Sequence, residues 1–283
     1  MNWLDEGALY SQIGLFLRED VGRGDITTQA IVERNTRARG RFIAGEEMVV
    51  AGLEAAEEVF LTLDSQQQLE AFVSDGEQVE KGKVIARTSG FADVLLTGQT
   101  VALNLLKRLS AVASLTSRFV AAVEGTNAKI VDTIGTTPGL RMLERYAVAL
   151  GGGLNSRFGL DDGVVITANH MSIVGGVSDA VKKAKQSLGY LHRVEVEVRN
   201  EEELKVAAES GADTVSLSDM PATDVARLIS IARQYSGELT FAYNGDVTLE
   251  SVRAYAEAGL DYIKVSSLTN SPPSVNIEFH IQP

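Results

Sequence analysis

The sequence predicts an α/β protein whose larger part is an α/β barrel of parallel strands. Three observations carry this. From Ala128 onward, short apolar strands alternate with helical segments at the spacing of parallel strands with helices outside. Six such strands are expected, at Lys129–Thr133, Gly163–Thr167, Arg193–Val198, Ala212–Leu217, Leu239–Tyr243 and Tyr262–Val265. That number favours a closed or partly closed barrel over a flat sheet, with functional groups at the C-terminal strand ends. The first hundred residues lack this rhythm and mix helices with short strands, which marks a separate region.

Along that first region, residues Leu4 to Leu17 have the apolar spacing of an amphipathic helix, with Leu4, Ala8, Ile13 and Leu17 near one face. "EDVGRGDITT" follows and reads as a Gly/Asp-rich turn. "RGRFIAGEEMVVAG" reads as strands and Glu54 to Leu63 as helix. "AFVSDGEQVEKGKVIARTSG" reads as a pair of short strands around Asp75-Gly76 and Lys81-Gly82. This superficially resembles a lipoyl or biotinyl carrier hairpin. Neither Lys81 nor Lys83 sits in the tight turn such carriers use, so an ordinary two-glycine hairpin is the better reading. Ala92 to Glu124 forms one long helix whose apolar middle, "ALNLLKRLSAVASL", predicts burial over much of its girth. The tail "SVNIEFHIQP" alternates as one more strand, returning to the first region.

Composition narrows the function classes. Apolar residues make up 45% and charged residues 23% of the 283, the balance of an ordinary globular chain. No apolar run approaches the roughly 18 residues of a membrane span. The acidic start "MNWLDEGALYSQIG" does not read as a signal peptide. Absence of cysteine excludes disulfides, thiolate nucleophiles and Cys-ligated zinc, and fits a cytoplasmic protein. A net charge of −12 without a dense basic run speaks against nucleic acid and anionic membranes as partners and leaves a small molecule.

The candidate chemistry gathers in the second region. In "RVEVEV", period-2 geometry puts Arg193, Glu195 and Glu197 on one face and three valines on the other. Outward faces of a barrel pack on helices, so the polar face points into the lumen, as a pocket for ribose hydroxyls or a divalent ion, or as a salt-bridge network. "DTIGTTPGLRMLERYAVALGGGLNSRFGL" has the layout of an anion cradle: strand, Thr-rich turn, helix opening at Pro138, three glycines. The glycines would let backbone N–H groups approach a ligand, and Arg157 would grip a carboxylate or phosphate. In "YNGD", Asp246 would repel a phosphate, and an N-cap role for Asp246 or Thr248 is expected. His170 follows Asn169 just past a strand end and is a candidate site residue, whereas His192 and His280 read as structural. No metal-ligating, Walker or Gly-x-Ser-x-Gly pattern is present.

These motifs, in order, resemble the quinolinate phosphoribosyltransferase family over almost the whole chain. The likeness rests on "EDVGRGDITT", "VALNLLKRLSAVASLT", "VDTIGTTPGLRMLERYAVALGGGLNSRFGLDD", "ITANH", "VEVEVRNEEELKVAAESGAD" and "VTLESVRAYAEAGLDYIKVSSLTNSPPSVNIEFHI". The resemblance implies an N-terminal α/β sandwich over residues 1–110, joined by the tail 271–283, and a barrel over 111–270. It implies a homodimer or an assembly of dimers, and a pentosyl transfer from phosphoribosyl pyrophosphate to quinolinate with Mg²⁺.

The departures fall on the family's working positions. Thr100, Ile134, Gly135, Ser156 and Thr167 stand where the resemblance predicts cations, while Arg157 is kept. Glu197 survives as one family carboxylate. The other aligns with Ser218, next to Asp219. Asn244-Gly245-Asp246 replaces a Ser-Gly-Gly phosphate loop, and Ser266-Ser267 a Gly-Ala. The candidate catalytic residues are therefore Glu197, His170 and Asp219. The candidate binding residues are Arg157, Asn169, Thr136, Glu195, Asn244 and Gly245. Charge-assisted contacts contribute about 1.5–3 kcal/mol each, so losing several predicts weak binding of these polyanions. The sequence-based expectation is thus a scaffold repurposed to a less anionic substrate. A catalytically silent paralogue with a binding or assembly role stays open beside it, as does the carboxylating nicotinate-nucleotide diphosphorylase reaction itself.

Overall fold

The computed structural model describes residues 5–189, 191–234 and 238–283. Leu4, expected on the first helix, lies outside them. The chain opens with α1 (Glu6–Val21), α2 (Ile26–Ile31), β1 (Arg37–Ala44), β2 (Met48–Val49), α3 (Leu53–Leu63), β3 (Gln68–Ala71), β4 (Gln78–Val79) and β5 (Val84–Phe91). The long α4 (Ala92–Ala122) is followed by β6 (Lys129–Val131), α5 (Arg141–Leu150), β7 (Val164–Ile166), α6 (Ala168–Val174), α7 (Val177–Ser187) and β8 (Val194–Val198). Then come α8 (Glu201–Glu209), β9 (Thr214–Ser218), α9 (Ala222–Ala232), β10 (Thr240–Asn244), α10 (Val252–Glu257), β11 (Tyr262–Lys264), α11 (Ser267–Asn270) and β12 (Ile277–Gln282). Two compact units result. One holds the chain up to Ser117 with Thr136–Gly152 and Leu268–Pro283; the other holds Arg118–Gly135 and Gly153–Ser267.

The first unit is built on an antiparallel sheet of order β12-β1-β5-β3. The tail does return to it: β12 pairs β1, with Phe42 opposite Phe279 and their rings 4.6 Å apart. Helix α1 starts where the Asp5 carboxylate accepts the Ala8 N–H at 2.7 Å. Its buried stripe is Leu9, Ile13 and Leu17, four residues apart, and Ala8 is exposed instead of joining it. "EDVGRGDITT" is more than a turn, because Asp25 caps α2 by accepting the Thr28 N–H at 3.0 Å. The expected hairpin is also different: β4 pairs with β2, and β3 pairs with β5.

Pro138 does not open a helix. Pro138–Leu140 form a turn with Gly139 at φ 84°, and α5 begins at Arg141. The Thr137 N–H is held by Glu144 Oε2 at 2.9 Å. Glu144 is fully buried, and its Oε1 accepts Arg108 Nε at 3.0 Å and Nη2 at 2.7 Å. Arg108 Nη2 also donates to Thr137 Oγ1 at 3.1 Å and to the Thr269 carbonyl. Elsewhere in this unit, Asp75 accepts from Gly52 N, Leu53 N and the Tyr146 hydroxyl at 3.1, 3.1 and 2.8 Å.

The glycine run has a packing explanation. A Cβ on Gly151 would lie 2.4 Å from the Ala113 carbonyl oxygen and 2.6 Å from Thr116 Cβ. Only glycine lets the end of α5 approach α4 so closely. Gly152, at φ 84°, then takes the left-handed conformation that leaves the helix. Both belong to the first unit.

The second unit is the α/β barrel. Six parallel strands run in the order β6-β11-β10-β9-β8-β7, and a parallel bridge from Val131 to Leu154 continues the sheet past β6. Alternation decides which way each side chain points. Val194, Val196, Val198, Val215, Leu217, Phe241, Tyr243, Ile263 and Val265 are buried outward beneath the helices. The intervening residues turn into the lumen.

Candidate active site in the barrel lumen

The register of the strands stacks the inward residues in layers. Glu195 lies beside Thr214 and Thr240; Glu197 beside Ser216 and Ala242; Ser218, Asn244 and Lys264 form the next layer with Val131. Of these, Val131, Glu195, Glu197, Thr214, Ala242, Asn244 and Lys264 line a cavity of about 540 Å³, together with Thr133, Ile134, Arg157, Thr167, Tyr262 and Ser266. Barrels of this kind ordinarily fill the lumen with branched apolar side chains. Here polar residues replace most of them, and a cavity remains at the C-terminal strand ends. "RVEVEV" therefore acts as its pattern predicts, with Arg193, Glu195 and Glu197 all on the cavity wall.

Glu197 Oε2 accepts the Ala168 N–H at 3.3 Å and its Oε1 accepts Asn244 Nδ2 at 3.4 Å. Both bonds are long, which leaves acceptor capacity facing the cavity. Glu195 pairs with the ammonium of Lys264; their side chains are 17% and 14% exposed. Arg157 Nη1 donates to the Gly163 carbonyl at 2.9 Å, which holds the guanidinium at the cavity rim. Arg193 Nη2 donates to Thr240 Oγ1 at 3.0 Å. Asp132 is fully buried and accepts the Ser156 N–H at 2.7 Å, fixing the loop that carries Asn155 to Arg157.

The remaining candidates lie elsewhere. His170 is exposed outside this cavity. Its Nδ1 lies 3.1 Å from Thr167 N and 2.8 Å from Thr167 Oγ1, which makes it the second half of a capping box on α6. Asn169, on the same turn, is exposed. Asp219 is exposed with φ 54°, a left-handed backbone, while Ser218 beside it is buried. Thr136 falls in the first unit, where its hydroxyl accepts from Arg141 Nε at 3.2 Å. Gly245 sits under the Tyr243 ring, whose hydroxyl would be 2.7 Å from an added Cβ. Burial pushes the Tyr243 phenol upward, reinforced by the Tyr255 hydroxyl, so it stays protonated. Neither Asp246 nor Thr248 caps α10: the cap residue is Ser251, whose hydroxyl accepts the Thr248 N–H at 3.0 Å.

Lys264 is the site residue that the sequence reading passed over. "YIKV" reads as an apolar strand, although its own period-2 pattern puts Tyr262 and Lys264 on the face opposite Ile263 and Val265. Beside the uncharged residues at 100, 134, 135, 156 and 167, β11 thus supplies a cation of its own. Among the described residues, the cavity wall carries three cationic side chains, Arg157, Arg193 and Lys264, against the carboxylates of Glu195 and Glu197.

Comparison with known proteins gives the same result from a different direction. Residues 25–110 match the family model described as quinolinate phosphoribosyl transferase, N-terminal domain, and residues 112–280 match its C-terminal domain. A Bacillus subtilis protein named probable nicotinate-nucleotide pyrophosphorylase [carboxylating] is 39% identical, over 94% of this chain and 91% of its own. A Synechocystis protein of the same name is 38% identical, over 91% and 87%. The solved structure of the nicotinate-nucleotide pyrophosphorylase from Francisella tularensis superimposes with a TM-score of 0.92 at 32% identity, covering 99% of this chain and 98% of that one. These findings overturn the expectation of a scaffold repurposed to a less anionic substrate, because relatives spanning nearly the whole chain carry the name of the phosphoribosyl-transfer enzyme. With both domain models matched and the fold shared end to end, the chain belongs to the quinolinate phosphoribosyltransferase family.

Proposed function

We propose that this protein is a carboxylating-type nicotinate-nucleotide pyrophosphorylase. It transfers the phosphoribosyl group of phosphoribosyl pyrophosphate to the ring nitrogen of quinolinate. The new N–C1′ bond forms as the C1′–pyrophosphate bond breaks. The 2-carboxylate then leaves as carbon dioxide, and the electron pair left on the ring carbon takes up a proton. The observation that carries this reading is the polar lumen, whose wall brings Glu197 and Asn244 together with Arg157, Arg193 and Lys264. Glu197, with its acceptor capacity only partly used, holds ribose hydroxyls and faces the positive charge that develops at C1′. Arg157 at the rim meets an anionic group.

The Mg²⁺ of the family reaction has no protein cage here: among the described residues no group of three or more His, Asp or Glu converges. Such an ion commonly binds through substrate phosphates, and every role above rests on the protein's own side chains. Self-association as a homodimer is part of the same proposal. It is supported by the large apolar side chains left exposed on the first two helices, Tyr10 and Leu15 on α1 and Ile26 and Ile31 on α2. Light scattering should give twice the chain's mass, and a stable monomer would exclude the dimer.

The reaction is tested directly. Purified protein with quinolinate, phosphoribosyl pyrophosphate and Mg²⁺ should release pyrophosphate and form nicotinate mononucleotide. Glu197→Gln should lower kcat/KM by roughly ten- to a hundredfold, the worth of one charge-assisted contact. Folded wild-type protein that gives no product would overturn the proposal.

A further inference from the structure

The Lys264–Glu195 pair has no structural reason to exist. β11 places Lys264 level with Asn244 and Val131, and its ammonium crosses the lumen to Glu195 on β8, three strands away. Both side chains are largely buried. A buried ion pair gives back in desolvation most of what it gains in attraction, and apolar side chains of the same volume hold a core at least as well. The barrel follows that rule on its outward face, which is apolar from Val194 to Val265. Inside, the pair borders an open cavity, so either member can exchange its partner for a ligand without repacking the core.

The surroundings choose the ligand. Lys264 lies level with Asn244 and Val131, and the cavity wall also includes Val165, Ala242 and Tyr262. A phosphate dianion needs several converging donors, and the other two cations on the wall are engaged elsewhere, Arg157 by the Gly163 carbonyl and Arg193 by Thr240. A flat apolar ring bearing a carboxylate matches this wall: the ring lies against its aliphatic side chains, and the carboxylate takes the place that the Glu195 carboxylate holds in the empty site. We infer that Lys264 is the specificity-determining cation for a carboxylate of the aromatic substrate, and that Glu195 is the built-in counter-ion that occupies it until the substrate arrives. This rests on the function proposed above and adds to it a position that the sequence resemblance does not assign.

Opposite signs at the two residues test it. Lys264→Met should raise KM for quinolinate about tenfold to a hundredfold and leave KM for phosphoribosyl pyrophosphate within about threefold. Lys264→Arg should recover part of the loss. Glu195→Gln removes the competitor and should tighten quinolinate, a change that a merely structural pair would not produce. Calorimetric titration of each folded variant with quinolinate, and with neutral nicotinamide as control, reads the same contrast without turnover. The inference is overturned if Lys264→Met binds quinolinate like the wild type, if its KM change falls on phosphoribosyl pyrophosphate instead, or if Glu195→Gln weakens quinolinate. Should Lys264→Met fail to fold, Lys264→Arg and Glu195→Gln carry the same comparison. Wild-type protein that binds quinolinate through Lys264 but forms no product would leave this inference standing and remove the proposed reaction.

Discussion

Arg108→Met should be among the most damaging single changes to the first unit. Glu144 has no exposed surface, and three of its contacts are Arg108 Nε, Arg108 Nη2 and the Thr137 N–H. Removing the guanidinium strands a carboxylate away from water, and breaking a buried pair by removing one partner costs about 3–5 kcal/mol. The hydrogen bonds from Nη2 to Thr137 Oγ1 and the Thr269 carbonyl add about 1 kcal/mol between them once rehydration of the freed acceptors is allowed for. The expected loss is therefore about 4–6 kcal/mol. Urea unfolding followed by far-UV circular dichroism measures it as a difference from wild type. The double variant Arg108→Met, Glu144→Gln should be more stable at pH 7 than Arg108→Met alone, since no charge is left buried. A loss below about 1 kcal/mol, or a double variant no more stable than Arg108→Met, would refute the reasoning.

Two further outcomes concern the first unit. Gly151→Ala forces a methyl against the Ala113 carbonyl at 2.4 Å and should destabilise by about 1–3 kcal/mol; an unchanged melting temperature would show that α5 and α4 can separate freely. For Asp75, burial raises the carboxyl above its ordinary value, and the bonds from Leu53, Tyr146 and Gly52 oppose this without cancelling it. Its stabilising contribution is then fully present below the unfolded value and lost as pH rises through the folded one. The stability of wild type relative to Asp75→Asn should accordingly fall as pH rises from the ordinary carboxylate range through the raised folded value, and a difference that grows with pH would contradict the assignment.

The barrel was legible because strand alternation is a local property. "RVEVEV" declares its lumen face without any knowledge of its neighbours, and the same rule applied to "YIKV" and "TVSLS" would have exposed Lys264, Thr214, Ser216 and Ser218. What alternation does not supply is who faces whom. Lys264 and Glu195 are 69 residues apart, and Arg108 and Glu144 are 36 apart. Their pairing follows from strand order and helix packing, which no short window contains. Turn chemistry misled in the other direction. A proline after a Thr-rich turn suggests a helix start, yet Gly139 and the Thr137–Glu144 bond delay α5 to Arg141. Three glycines suggest a ligand loop, yet Gly151 answers to α4 and Gly152 to its own backbone. His170 follows a strand end as a catalytic group would, and its ring is engaged in capping α6.

The division of β8 to β11 between a buried apolar face and a largely polar inner face has an evolutionary meaning. The energy that holds the barrel closed comes from the outward residues packed beneath the helices, and the inward residues contribute comparatively little. Mutation can therefore explore Glu195, Glu197, Thr214, Ala242, Asn244 and Lys264, with Glu195 and Lys264 changed together so that no charge is stranded, without approaching the stability threshold that removes most variants from a population. A laboratory library confined to those six positions should retain far more folded members than one of equal size on Val194, Val196, Val215, Leu217, Phe241 and Ile263. Ligand chemistry in this scaffold is the variable that selection can change most cheaply.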